Sequence, residues 1–112
     1  MIEEDTEPLT TANGNRYIGV GLVLNSVVKA TKIEISALQS SRRDRDIVYA
    51  RFIFYWLVKK HTDLTLADIS KLLGKKRHHS TIIHGIKVVN DSEKYNHDLY
   101  KIVLRCKRLL II

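Results

Sequence analysis

The sequence predicts an all-α fold, a small helical bundle containing a helix-turn-helix, and three observations carry that reading. Apolar residues recur at helical spacing through most of the chain. Gly74 falls between two such periodic segments, and the longest apolar segment, Asp46 to His61, contains neither Gly nor Pro. At 112 residues there is room for one small domain with a modest core.

Taken in order, residues 1–15 (MIEEDTEPLTTANGN) are acidic, lack periodicity and hold the only Pro. They read as a flexible tail ahead of a single domain over 16–112. Ile18, Leu22, Val23, Ser26, Val27 and Ala30 predict a helix over 18–30, weakened at its start by Gly19 and Gly21. Ile33, Ala37 and Leu38 give one apolar side to a short helix at about 33–39, followed by the basic connector SSRRDRD.

The segment DIVYARFIFYWLVKKH is apolar nearly all round and too long for one strand, which predicts a central buried helix, although its aromatic and β-branched residues also suit strands. Thr65 and Asp68 form a capping-box pattern, with Leu64 and Ile69 at the staple positions around it. A helix is therefore expected from Leu66, with Leu66, Ile69, Leu72 and Leu73 inward and a left-handed cap at Gly74. A second helix follows from about His79 to Asn90, with Ile82, Ile83, Ile86 and Val89 inward and Ser80, Thr81, His84 and Lys87 on the outer face. Together they make a helix-turn-helix at about 65–90. A last helix over about 92–110 carries Leu99, Ile102, Val103, Cys106 and Leu109 or Leu110 on one stripe. Its apolar LLII end either packs back on the core or joins two copies as a homodimer.

Composition narrows the function classes. The lone Cys106 forms no internal disulfide and no zinc knuckle, which fits a reducing cytoplasm. The run YIGVGLVL is far shorter than the ~20 residues that span a bilayer, so no membrane partner is expected. Residues 1–40 hold three cations against five anions, net −2, whereas residues 41–112 hold sixteen against seven, net +9. A basic surface so concentrated points to a polyanion, nucleic acid before membrane.

Lys75, Lys76, Arg77 and His78 crowd the start of the second helix. A helix N-terminus already carries about half a positive charge, so an exposed cation there costs ~0.3–1 kcal/mol. An anion held against the first-turn N–H groups reverses that sign, and phosphate is the natural one; a solvated basic turn is the bland alternative. His79, Ser80 and Thr81 are side chains able to reach base edges or phosphate oxygens, and Ser80 or Thr81 serves equally well as a simple cap. Arg51 stands in an apolar helix and must reach the surface or meet an anion: Asp46, Asp68 or a phosphate. An enzyme is disfavoured, because His79 and His84 are five apart, off a common helical face, and His78 brings no acidic or cysteine ligand at a usual spacing. No cofactor is expected.

Arg42 to Asn90 resembles the C-terminal DNA-binding domain of the bacterial replication initiator DnaA family. The family's G-R-D-H-T-T-V-L-H-A signature is met by Lys76, Arg77, His78, His79, Ser80, Thr81, Ile82, Ile83, His84 and Gly85, and TLADISKLLG is similar to its S-L-x-E-I-G-x-x-F-G. The resemblance implies a Trp-repressor-like bundle that binds double-stranded DNA in replication or its regulation. It implies minor-groove entry by Arg43 and Arg45, a phosphate contact by Arg51, major-groove reading by His79, Ser80 and Thr81, and backbone contacts by Lys75, Lys76 and Arg77. His84 and Lys87 lie on the same outer face.

Three departures stand out. His78 replaces the family's Asp, and an imidazolium does not accept from a cytosine amino group. Asp44 and Asp46 interrupt the basic loop, and the turn is one residue longer. No G-x-x-x-x-G-K-[ST] is present, so the resemblance covers the DNA-binding part and implies no nucleotide. The competing expectation is a degenerate helix-turn-helix that serves as a protein-interaction or dimerisation module.

Overall fold

A computed structural model describes residues 19–74 and 76–110. The acidic tail, Lys75 and the final Ile111 and Ile112 lie outside the described residues, which hold six helices and no strand. In chain order these are α1 (Val20–Thr31), α2 (Ile35–Leu38), α3 (Arg45–His61), α4 (Leu66–Ile69), α5 (His79–Tyr95) and α6 (His97–Leu110).

The α3 segment is the helix its length and lack of Gly and Pro predicted, and it forms the hub. It packs against α1, α2, α4 and α5, while α6 closes the bundle against α1 and α5. Ile47, Ala50, Ile53, Phe54, Tyr55, Leu57 and Val58 of α3 are all buried, and Val23, Val27, Ile69, Leu73, Ile82, Val89, Leu99, Val103 and Cys106 close over them. Lys59, Lys60 and His61 occupy its last turn, where cations complement the helix dipole. The apolar end of α6 folds inward at Leu110, which is buried, while Leu109 points out.

The Thr65 capping box forms as the spacing predicted. The Thr65 Oγ1 accepts from the Asp68 N–H at 3.1 Å, and an Asp68 carboxylate oxygen accepts from the Thr65 N–H at 3.2 Å. The helix it starts is shorter than expected. Regular α geometry ends at Ile69, and residues 70–73 continue as tighter turns in which the Lys71 and Leu72 N–H groups reach back three residues, to Asp68 and Ile69. The Ser70 hydroxyl donates to the Ala67 carbonyl at 2.6 Å, a local bond that competes with the helical ladder. Gly74 then takes φ +87°, the left-handed turn that only glycine adopts freely.

The boundary between the last two helices also differs from expectation. α5 runs on to Tyr95, because the Ser92 hydroxyl bonds back to the Val89 carbonyl at 2.7 Å inside the helix rather than capping a new one. The break falls at Asn96, whose Oδ1 accepts the Leu99 N–H at 3.1 Å and whose Nδ2 donates to the Tyr49 hydroxyl at 3.0 Å. A capping residue thus stands four positions later than the apolar pattern suggested.

Gly85 decides how closely α5 approaches α3. A Cβ built there would lie 2.4 Å from Cδ1 and 2.8 Å from Cγ of Phe52. Glycine inside an exposed helix is ordinarily ~0.5–1 kcal/mol worse than alanine. Here overpacking of ~1–3 kcal/mol outweighs that gain, so Gly85→Ala is expected to lower the melting temperature, and Phe52→Leu in the same chain to restore most of the loss. Thermal melting of the two variants checks both signs.

Candidate nucleic-acid interface

The turn after α2 is built on arginine. Arg51, 5 % exposed, donates from Nε to the Leu38 carbonyl at 2.9 Å, from Nη1 to that of Arg42 at 2.7 Å, and from Nη2 to those of Ala37 at 3.2 Å and Ser40 at 2.7 Å. Arg77 arrives from beyond the turn and gives Nη2 to the same Leu38 and Ser40 carbonyls at 3.3 and 3.1 Å. Two guanidinium groups therefore satisfy the carbonyl end of α2 and the start of the basic loop, which a short helix leaves without intrahelical partners. Burial lowers the Arg51 pKa, with Arg77 and Arg43 adding to the effect, although a guanidinium stays charged at physiological pH.

This corrects the expected partners of Arg51. It pairs with neither Asp46 nor Asp68: main-chain oxygens take all four of its bonds among the described residues, and its side chain still lines the cleft described below. No spacing rule announces such a partner, because the carbonyls belong to a loop whose path the sequence does not state. Arg77 is likewise half inside the fold, its backbone N–H bonded to the Ser70 carbonyl at 3.0 Å.

Within the loop the arginines divide. Arg42 pairs with Asp44, and Arg45 sits 3.7 Å from Asp46 with both side chains three-quarters exposed, a contact worth little. Arg45 also lies over the Tyr49 ring at 5.8 Å. Arg43 is exposed and has no partner among the described residues.

The start of α5 is unneutralised. His78 is its N-cap, makes no side-chain cap bond, and no acid stands in the first turn. Neither Ser80 nor Thr81 caps the helix, so both hydroxyls stay exposed on its outer side, with His79 beside them. His84 and Lys87 lie further along the exposed face, His84 edge-on to Phe52 at 5.7 Å and Lys87 paired with Asp91 at 3.1 Å. Ile83, expected inside, is 52 % exposed on this same face. The inward side of α5 is narrower than four isoleucine and valine positions suggested, since Gly85 occupies its middle.

A cleft of about 370 Å³ joins these parts. Arg43, Arg51, Lys76, Arg77, His78 and Thr81 line it together with Val48, Phe52 and Tyr55, and it contains no carboxylate. The structure thus brings Arg43 of the loop, Arg51 of α3 and the α5 N-terminus to one place, while Arg45, His84 and Lys87 are exposed and do not line it.

A family model described as the bacterial dnaA protein helix-turn-helix matches residues 20–89. The chain belongs to this DnaA helix-turn-helix family. Over 95 residues it is 34 % identical to the chromosomal replication initiator protein DnaA of Lachnoclostridium phytofermentans, covering 84 % of this chain and 21 % of that protein. The protein of the same name from Porphyromonas gingivalis is 30 % identical over 95 residues, covering 85 % and 20 %, and that from Bacteroides fragilis 37 % identical over 67 residues, covering 60 % and 14 %. The chain therefore spans about a fifth or less of the length of these DnaA relatives. Within the DnaA family pattern its Gly85 stands where the signature has Ala, and the Phe52 ring fills the space that an Ala methyl group would take.

Proposed function

We propose that this domain binds double-stranded DNA without catalysis, with the N-terminal turn of α5 in the major groove and the basic loop against the neighbouring backbone and minor groove. The observation that carries the reading is the cleft in which Arg43, Lys76, Arg77, His78 and an uncapped helix N-terminus converge with no acid among them. His79, Ser80 and Thr81 are the base-edge readers, flanked by His84 and Lys87. Arg43 and Lys76 take backbone phosphates; Arg45 assists from the loop rim. Arg51 and Arg77 shape the loop that presents them. Membership of the DnaA family supports a role in replication initiation or its regulation.

A protein-interaction module finds less support. Among the described residues of α6, Leu104 and Leu109 are the exposed large apolar side chains, at 37 % and 47 %, and two such side chains do not make a docking patch. Fluorescence anisotropy of a labelled duplex titrated at several salt concentrations tests the proposal. Binding is expected to weaken on a straight line in log–log coordinates, with about 0.9 of slope for each phosphate neutralised. No binding at micromolar protein in low salt would sink it, and a tight dimer that ignores the duplex would favour the module.

A further inference from the structure

The cleft beside α5 contains two buried donors that the fold leaves unused. The Tyr55 side chain is 1 % exposed and its hydroxyl has no hydrogen-bond partner among the described residues, and the Nε of Arg77 is buried and equally unpartnered among them. Buried polar groups are satisfied in the great majority of cases, so two orphans lining or adjoining one cavity call for a common cause. Both belong to residues that line the carboxylate-free cleft, together with Arg43, Lys76 and His78. The α5 N-terminus opens on the same cleft with neither a side-chain cap nor an acid in its first turn.

We infer that the cleft is a seat for a single phosphate group, held by the Tyr55 hydroxyl and the Arg77 Nε–H as fixed donors and neutralised by Arg43 and Lys76. The two donors differ from the cations of the rim. Lysine and arginine side chains at a surface follow any polyanion, whereas a hydroxyl and an Nε–H locked by packing offer bonds at one position and so fix where the phosphorus sits. Arg77 is held by its Nη2 bonds to Leu38 and Ser40, which aims the remaining edge of the guanidinium. Burial raises the Tyr55 pKa while Arg77 and Arg51 pull it the other way, and the hydroxyl keeps its proton as a donor at neutral pH. The phosphate comes from the duplex backbone if the proposed DNA-binding reading holds, and the seat then sets the register of the reading helix along the strand. A free phosphorylated ligand is the other source of the same chemistry.

Tyr55→Phe removes one oxygen and changes no charge, which makes it the discriminating variant. Since the hydroxyl has no partner among the described residues, the variant is expected to melt at or above the wild-type temperature. Inorganic phosphate is titrated into the full 112-residue chain at constant ionic strength, with chloride as the control, while the Arg77 Nε–Hε resonance is followed by NMR. The expected result is a saturable shift with phosphate and none with chloride, about tenfold weaker in Tyr55→Phe, the loss typical of one hydrogen bond to a charged acceptor.

A 20-base-pair duplex supplies the second arm. Competition between duplex and phosphate for that resonance, with duplex affinity reduced in Tyr55→Phe at an unchanged salt slope, places a backbone phosphate in the seat. Phosphate binding without competition keeps the seat and assigns it to a free phosphorylated ligand. Failure of the wild type to bind any duplex would remove the DNA reading while leaving the phosphate arm intact. The inference is overturned if phosphate leaves the Arg77 resonance unmoved, if Tyr55→Phe binds phosphate as tightly as wild type, or if that variant melts far below it.

Discussion

Arg51→Met is expected to cost this domain about 3–5 kcal/mol, a large part of the total stability of a small fold. The size follows from what the side chain touches. Four carbonyls lose a charged donor at once, and the Arg42 carbonyl has no second partner among the described bonds. Leu38 and Ser40 retain Arg77, which limits the loss, and the apolar methionine fills part of the volume. Arg51→Lys is no rescue, because a compact ammonium does not reach four oxygens spread along a loop. Both variants should melt at least ~12 °C lower. Cys106 offers a second readout: burial pushes its thiol up to about 12, so it labels only when the bundle opens, and labelling at neutral pH should accelerate in both. A phosphate ligand at this position would behave in the opposite way, leaving melting unchanged and weakening only the duplex. Wild-type melting of Arg51→Met would return the residue to that role.

How much of this was legible in the residues depended on whether a feature was local. The Thr65 box, the left-handed Gly74 and the helical α3 each rest on contacts within a few positions, and pattern rules reached all three. The failures are tertiary. Ile83 obeys helical periodicity as an inward residue, but the inward side of α5 is centred on Gly85 because Phe52 of α3 presses there. Arg51 was visible as an anomaly, a guanidinium among apolar neighbours, yet its partners are carbonyls of a loop up to fourteen positions earlier. The Tyr55 hydroxyl sent no signal, since a buried tyrosine in an aromatic helix reads as core until its oxygen is found without a bond. The candidate site was legible as a run of cations, and its division into arginines bonded within the fold and cations without partners among the described residues was not.

That division predicts which charges matter. Arg43→Glu with Lys76→Glu is expected to abolish duplex binding while leaving the fold unaffected. Both side chains are exposed without partners among the described residues, so their substitution touches no bond within the domain and should change stability by less than about 0.5 kcal/mol. On the duplex, losing two phosphate contacts should lower the salt slope by roughly 1.8, and two new anions in a cleft that has none add repulsion. The combined loss should exceed about a hundredfold at low salt, where screening is weakest. Lys59→Glu with Lys60→Glu is the control. It changes net charge by the same amount but in the last turn of α3, where Lys60 lies over the Trp56 ring and neither lysine lines the cleft. If net positive charge alone drew the DNA, the two pairs would lose affinity alike. A local interface demands that the Arg43 and Lys76 pair fail and the Lys59 and Lys60 pair retain most of its binding, and equal losses in the two titrations would refute the placement of the interface at α5.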